Sequence, residues 1–429
     1  MSISLLRVII YVMTSRKRTT KKSSKRKNTK SLYTKVFLYI LIIVSVLFLI
    51  YMGLFYLAQP PRPDAFYDIP DPLPSIVPGT IIKTSKINTD VDNADVYKVM
   101  YVSRDQNNLP TAVTGTVFVP QATPPAAGRN LVAWAHGTSG IADQCAPSLL
   151  ASQAVKHLPG VQQYINEGYI VTATDYQGLG TKGPHPYLIG NSQAHGVLDS
   201  VRAAKSIPES NFNGRYALWG HSQGGQSVIY SSQLAKTYAP EISLVASAAA
   251  APASDLATLL KDDIQTEIGK VLGPMAFKSW SEIYPEAEMY KIIKAEALPA
   301  ANLIAEGCIE TTDSIEVLLP PTKELSQDFI TQDPTVAQPW ANIIADNSAK
   351  PSGISDPMFI GQGTADNVVS PAVTQAWAQS LCSVNNNVTF KSYPGVGHNT
   401  AGFVVVNDVI PWLSNLFSGQ PPSGNCGSY

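Results

Sequence analysis

Six consecutive residues, Gly220-His221-Ser222-Gln223-Gly224-Gly225, constrain this chain more than any other stretch, because they follow the short apolar run Tyr216-Ala217-Leu218-Trp219. Gly-x-Ser-x-Gly at the end of a buried strand and the start of a helix forms a turn so tight that the flanking side chains must be very small. Gly220 and Gly224 supply that room. The turn lifts Ser222 Oγ above the carboxyl edge of a sheet and leaves the next backbone N–H, that of Gln223, free to donate to an oxyanion. A glycine-rich turn that merely contains serine would read the same way, so the rest of the chain has to supply the context.

Residues upstream and downstream of the turn alternate between strand-like and helix-like patterns. Apolar, β-rich runs cover Tyr97–Ser103, Ala112–Val119, Leu131–Ala135, Tyr169–Thr174, Tyr216–Trp219, Ser243–Ala248, Pro357–Gly361 and Val388–Tyr393. Helical patterns lie between them, near 148–167, 193–206, after the turn to Tyr238, 371–381 and 404–417. Strands alternating with helices of ten or more residues predict βαβ units and a mainly parallel sheet flanked by helices, with chemistry at the carboxyl ends of its strands. Residues 253–352 break the alternation with helix-like stretches (Asp255–Val271, Glu286–Ala297) and few strand signals. An insertion of that length between two late strands is expected to form a mainly helical cap over the active edge.

An activated serine needs a base and an orienting acid, and this type of turn predicts them in the order serine, acid, histidine. Asp366 stands in Gly363-Thr364-Ala365-Asp366-Asn367, just past the strand ending near Gly361, and His398 stands just past the strand ending at Tyr393. No other histidine follows His221, so only His398 can fill the downstream place. In the expected triad His398 removes the Ser222 proton and Asp366 holds the imidazole in the right tautomer. The oxyanion hole should combine the Gln223 N–H with one from the Gly137-Thr138 loop after the Leu131–Ala135 strand.

Composition assigns the compartment. Residues 1–58 carry eleven Lys/Arg and no Asp or Glu, which leaves 20 basic and 32 acidic residues, a net charge of −12, on the remainder. Such a body repels nucleic acid. Residues 1–35 are expected to form a basic cytoplasmic tail and the uncharged stretch 36–58 a transmembrane anchor, since its length at about 1.5 Å per residue exceeds a bilayer core of about 30 Å. The domain beyond it would then be extracytoplasmic, or secreted if the segment is a cleaved signal. Residues 59–78 hold seven prolines and are expected to form an extended spacer, with the core in 79–252 and 353–429. Cys145, Cys308, Cys382 and Cys426 all follow the anchor, and an even count outside the cytoplasm favours two disulfides, whose pairing spacing leaves open in three ways.

Two other motifs carry less. Gly178-Leu179-Gly180-Thr181-Lys182-Gly183 fits a dinucleotide pattern, but Pro184 and Pro186 prevent a helix from starting behind it, so it is expected to be a loop near the site and lining it. The six histidines show no metal-ligand spacing, and His221 and His185 are expected to be structural; neither metal nor cofactor is expected.

Taken with these residues, the chain resembles the α/β-hydrolase fold and, more narrowly, the secretory lipase family. The resemblance rests on Asp64–Tyr67, Pro72-Leu73-Pro74, Pro78-Gly79-Thr80, His136-Gly137-Thr138, Cys145-Ala146-Pro147-Ser148, Thr174–Gly180, His185-Pro186-Tyr187-Leu188, the serine turn, and the Asp366 and His398 loops. It implies a carboxyl-ester hydrolase acting on acylglycerol-type lipids or small esters without a cofactor, with Ser222, Asp366 and His398 as triad. It also implies pairing of Cys145 with Cys308 and of Cys382 with Cys426. Gln223 departs from the glycine often found there in fungal members. The same fold also serves peptidases, and a non-catalytic tethered binding domain is a third class; the first would need a pocket for a peptide terminus, and the second would have no reason to keep three catalytic residues in register.

Overall fold

The computed structural model of the chain describes residues 26–57, 61–309, 322–323, 325 and 328–429. It falls into two units, Met1–Pro60 and Pro61–Tyr429. The first contains helix α1 (Arg26–Leu57), whose Thr34–Gly53 stretch has a mean hydropathy of 2.8 and no buried part. At about 1.5 Å per residue these twenty residues make a rod of about 30 Å, long and apolar enough to cross a membrane. Residues 1–25 of the expected tail 1–35, the anchor's last residue Ala58, and Gln59 and Pro60 of the expected spacer lie outside the described residues, and residues 26–35 of that tail belong to helix α1.

The second unit is built on nine strands: β1 (Ile81–Ile87), β2 (Ala94–Arg104), β3 (Pro110–Pro120), β4 (Arg129–Ala135), β5 (Ile170–Thr174), β6 (Phe212–His221), β7 (Ser243–Ala250), β8 (Met358–Gly363) and β9 (Val388–Tyr393). They form one sheet in the order β1-β2-β3-β5-β4-β6-β7-β8-β9. Pairs from β1 to β5 are antiparallel, and every pair from β5 across to β9 is parallel. The central strands read as unbroken apolar runs because both faces are covered. On one face Trp134 and Trp219 pack with Val405, Val409 and Leu413 of helix α10 (His398–Phe417). On the other, Tyr101 and Leu218 pack with Val197 and Val201 of α3 (Gly190–Lys205) and Val228 of α4 (Gln223–Tyr238).

From β4 the chain leaves to β5 on one side and returns to β6 on the other, so the order reverses at β4/β6. Ala135 at the end of β4 is in register with Gly220 of β6. Crevices at such switch points, outside the carboxyl ends of parallel strands, are where open α/β sheets bind ligands.

Helices dominate the described residues between β7 and β8: α5 (Leu256–Asp263), α6 (Gly269–Ile283), α7 (Leu298–Ala305) and α8 (Trp340–Asn347). They enclose a core of their own in which Phe277 and Trp280 lie 5.3 Å and 6.4 Å from the Trp340 ring. Residues 310–321 of this insertion are outside the described ones.

Several expectations change. The stretch 148–167 is no single helix: Leu158, Pro159 and left-handed Gly160 interrupt it, leaving a 3-10 segment, a short turn and α2 (Val161–Asn166). Asp255–Val271 splits into α5 and the start of α6, and 286–297 supplies only short turns. Pro61–Pro78 is not a free spacer, because it belongs to the second unit. Tyr67 is 2% exposed and hydrogen-bonds Ser148 Oγ at 2.7 Å, while Lys83 Nζ donates to the carbonyls of Ala65, Phe66 and Asp68. Proline keeps this segment non-helical, and one buried tyrosine pins it to the body.

Both disulfides are present, Cys145–Cys308 with Cα atoms 5.2 Å apart and Cys382–Cys426 with 5.7 Å. The first ties the loop after β4 to the helical insertion, where Ile309 N also donates to Ser139 O at 2.7 Å. The second holds the C-terminal tail against α9 (Pro371–Ser383).

Candidate active site

Ser222 joins β6 to α4 with φ 58° and ψ −119°, a conformation L-residues avoid and hold only when their surroundings impose it. The surroundings leave no alternative. A Cβ on Gly220 would stand 2.3 Å from Gly224 O, and one on Gly224 would stand 1.8 Å from Ala135 O. Ser222 N is itself held by Ala250 O at 3.0 Å.

Three strand ends then converge. His398 Nε2 lies 2.9 Å from Ser222 Oγ, and His398 Nδ1 lies 2.8 Å from Asp366 Oδ2. Asp366 follows β8, and its other oxygen accepts from the Val368 and Val369 N–H groups at 2.9 and 2.8 Å. Burial pushes this carboxyl up, but the His398 hydrogen bond and the two amides outweigh it and hold it below the usual range. Gln362 Nε2 adds a donor to Asp366 Oδ2 at 3.1 Å.

Gln223 is the first residue of α4, where the backbone N–H has no partner within its own helix. Across from it runs the loop after β4, where a Cβ on Gly137 would lie 3.7 Å from Ser222 Cβ. Thr138 Oγ1 is 2.8 Å from the Tyr187 hydroxyl, which fixes that side of the loop. His136, beneath it, is pushed down to about 4 by burial and is therefore neutral.

A pocket of about 70 Å³ opens beside Ser222. The sheet side contributes Thr138, Gln223, Val368 and Val369, and the insertion contributes Leu256, Leu259, Leu260, Ile264, Leu272 and Trp280. Val271, Met275, Phe277, Ile292 and Ile293 of the insertion are buried in its own core instead. The Gly178–Gly183 loop does not line this pocket. Gly178 and Gly180 have positive φ and back onto Pro184 and Tyr67 instead. His221 is half-buried and pushed down to about 3, first by desolvation and then by the neighbouring His398 ring 4.7 Å away. Among the described residues no group of three or more His, Cys, Asp or Glu could hold a metal ion.

Asp263, Tyr187 and Leu188 also line the pocket. Tyr187 and Leu188 come from the His185-Pro186-Tyr187-Leu188 motif, whereas nothing in the local sequence marks Asp263, which reaches the pocket only once the insertion folds over the sheet.

A family model described as secretory lipase matches residues 148–425. Lipase A of Moesziomyces aphidis is 23% identical over 401 residues, covering 86% of this chain and 82% of its own length. Secreted triacylglycerol lipase LIP3 of Malassezia globosa is 26% identical over 397 residues, covering 85% and 83%. The X-ray structure of Candida antarctica lipase A in its closed state superposes with a TM-score of 0.69 at 21% identity, over 86% of this chain and 89% of that one. The fold is that of the α/β-hydrolases.

Proposed function

The chain belongs to the secretory lipase family and is an ester hydrolase, and on that premise we propose that it cleaves acylglycerol-type esters through an acyl-enzyme on Ser222. The observation that carries this is the unbroken hydrogen-bonded line from Ser222 Oγ through the His398 ring to Asp366, opening on an apolar pocket. His398 Nε2 takes the Ser222 proton as Oγ attacks the ester carbonyl carbon, and Asp366 stabilises the resulting imidazolium. The negative oxygen is met by the Gln223 N–H and an N–H of the Gly137-Thr138 loop. When the tetrahedral intermediate collapses, the same proton passes from Nε2 to the leaving alcohol. Water then enters, gives a proton to His398, attacks the acyl carbon, and the carboxylic acid departs as Oγ regains its proton.

The insertion acts as a cap that binds the acyl chain and gates its entry, in the manner of lids elsewhere. Supporting this, α5 and α6 supply most of the apolar lining while the sheet supplies the reacting groups. Helix α1 serves as a single-pass anchor with the basic flank inside and the catalytic body outside. The uncharged run from residue 36 to 53 within it and the two disulfides support that topology.

An activity profile across nitrophenyl esters from acetate to oleate tests the chemistry. Hydrolysis rising with acyl length is expected, and hydrolysis of a peptide anilide with no ester cleaved would refute it. Protease added to intact cells tests the topology: it should digest the body, and a body protected until lysis would contradict the anchor.

A further inference from the structure

The apolar pocket beside Ser222 takes one half of an ester, and across the Gly137-Thr138 loop lies a second cavity, of about 400 Å³, at the same edge of the sheet. Among the described residues Thr138 alone lines both. Gly137 lines the second, and a Cβ there would stand 3.4 Å from His221 Nδ1 and 3.7 Å from Ser222 Cβ, so this loop is the partition between the second cavity and the nucleophile. Further lining comes from His221, beside Ser222 in sequence, and from Asn399 and Thr400, the two residues after His398. Asn399 and Thr400 are exposed, so the cavity is open to solvent there.

The reaction argued above assigns the two halves of the substrate to different sides. The proton held on His398 Nε2 passes to the leaving oxygen, so the alcohol half lies towards His398 while the acyl half occupies the apolar pocket.

The two cavities also differ in charge. The acyl pocket is lined by apolar side chains and by the carboxylate-bearing Asp263. The second cavity carries Gln144, Asn399 and Thr400 together with the basic Lys156 and His157, and no Asp or Glu among its described lining residues. Its other two histidines, His136 and His221, are pushed down to about 4 and about 3, first by desolvation, and are neutral. Lys156, in the short turn before α2, is exposed and makes neither an ion pair nor a hydrogen bond among the described residues. By contrast, the cavity at the amino ends of β6 and β7 sets Arg215 and Lys236 against Glu241 and Asp356. In a body whose net charge is −12, a basic lining without a carboxylate is the complement of an anion.

We propose that this second cavity receives the alcohol half of the ester and favours an alcohol that carries an anionic group, a phosphate or a carboxylate, met by the Lys156 ammonium. This rests on the ester-hydrolase reading and deepens it by naming the chemistry of the leaving group. Because Lys156 is exposed, water and salt screen it, and the expected preference is a few-fold and not orders of magnitude.

The test compares kcat/KM for two hexanoyl esters, one of 3-hydroxy-4-nitrobenzoate and one of neutral 2-nitrophenol, at low ionic strength. The full chain is used as parent, Lys156→Gln, Lys156→Glu and Lys236→Gln. Comparing the quotient of anionic over neutral ester between proteins cancels both the absolute rates and the intrinsic reactivity of the two phenols. Lys156→Gln should lower the quotient about three-fold and Lys156→Glu about ten-fold, and both differences should shrink in high salt. Lys236→Gln makes the same change in net charge at the far edge of the sheet and should leave the quotient at the parent value. A quotient that neither Lys156 variant moves, or that Lys236→Gln lowers equally, overturns the proposal. The quotient of 1-hexanoylglycerol 3-phosphate over 1-hexanoylglycerol separates the two sources of the anion. Dependence on Lys156 there assigns a phosphoglyceride, and dependence confined to the nitrobenzoate pair assigns a small anionic alcohol. Hydrolysis of the neutral ester in every arm keeps the outcome separate from the ester-hydrolase reading, which fails only if no ester is cleaved.

Discussion

Replacing Gly224 by alanine puts one methyl group into the tightest contact at the site. The added Cβ would lie 1.8 Å from Ala135 O, 2.5 Å from Ala135 C and 2.7 Å from His136 O, all backbone atoms at the end of β4, where ordinary contact begins near 3.4 Å. Relief requires α4 and the end of β4 to separate by roughly 1.6 Å, and overpacking of this kind costs about 1–3 kcal/mol. The displacement falls on the Gly137-Thr138 loop and on the Gln223 N–H together, so the two proposed oxyanion donors lose their mutual geometry. Misplacement by about 1 Å can cost about 10²-fold in rate, and Gly224→Ala should lose at least that in kcat/KM while remaining folded. Gly137→Ala is the matched control: its Cβ would meet His221 O at 3.3 Å, a contact relieved by a few tenths of an ångström. Steady-state kinetics on a short nitrophenyl ester and urea unfolding of both variants measure the two effects separately. Equal activity in the two variants, or a Gly224→Ala protein as active and as stable as the parent, would refute the reasoning.

Other consequences can be checked in the same preparations. Leu259→Trp enlarges a side chain in the wall of a pocket of about 70 Å³, so oleate cleavage should fall at least about ten-fold relative to acetate; an unchanged chain-length profile would place the acyl site elsewhere. Asp263 is pushed up to about 6, first by burial and then by the charges of Asp262 and Asp366, against the opposing pull of His398. It is protonated below that pH and ionised above it, where its field favours the imidazolium formed on His398. Asp263→Asn should therefore slow kcat/KM more at pH 8 than at pH 5, and a ratio to the parent that does not vary with pH would count against this. Breaking the Cys145–Cys308 bridge as the double serine variant should cost about 2–5 kcal/mol in chemical denaturation. A midpoint unchanged from the parent would show that the insertion is held without it.

Much of the architecture was legible in the sequence because buried parallel strands and amphipathic helices carry distinct periods. Leu131–Ala135 and Tyr216–Trp219 lie within strands buried at their carboxyl ends, and the residues just past β6, β8 and β9 are those that meet at the site. β1 was not legible, since Ile81–Ile87 is a half-exposed edge strand whose polar centre, Lys83 to Lys86, lacks alternation. Pro61–Pro78 misleads for a different reason. Proline density reports local backbone stiffness but not the contact of Tyr67 with Ser148, made 81 residues away. The same limit hid Asp263, which reaches the pocket beside Ser222 only through tertiary packing of the insertion.

The central claim is that Ser222, activated by His398, is the nucleophile. Incubating the full chain with a nitrophenyl phosphonate ester and mapping the adduct by mass spectrometry tests it directly. One phosphonyl group should appear on the Ser222 peptide with stoichiometric loss of ester hydrolysis, and labelling should drop by about 10³-fold or more in His398→Ala. An unmodified Ser222 in a fully inactivated enzyme, or labelling that His398→Ala leaves at the parent rate, would contradict it.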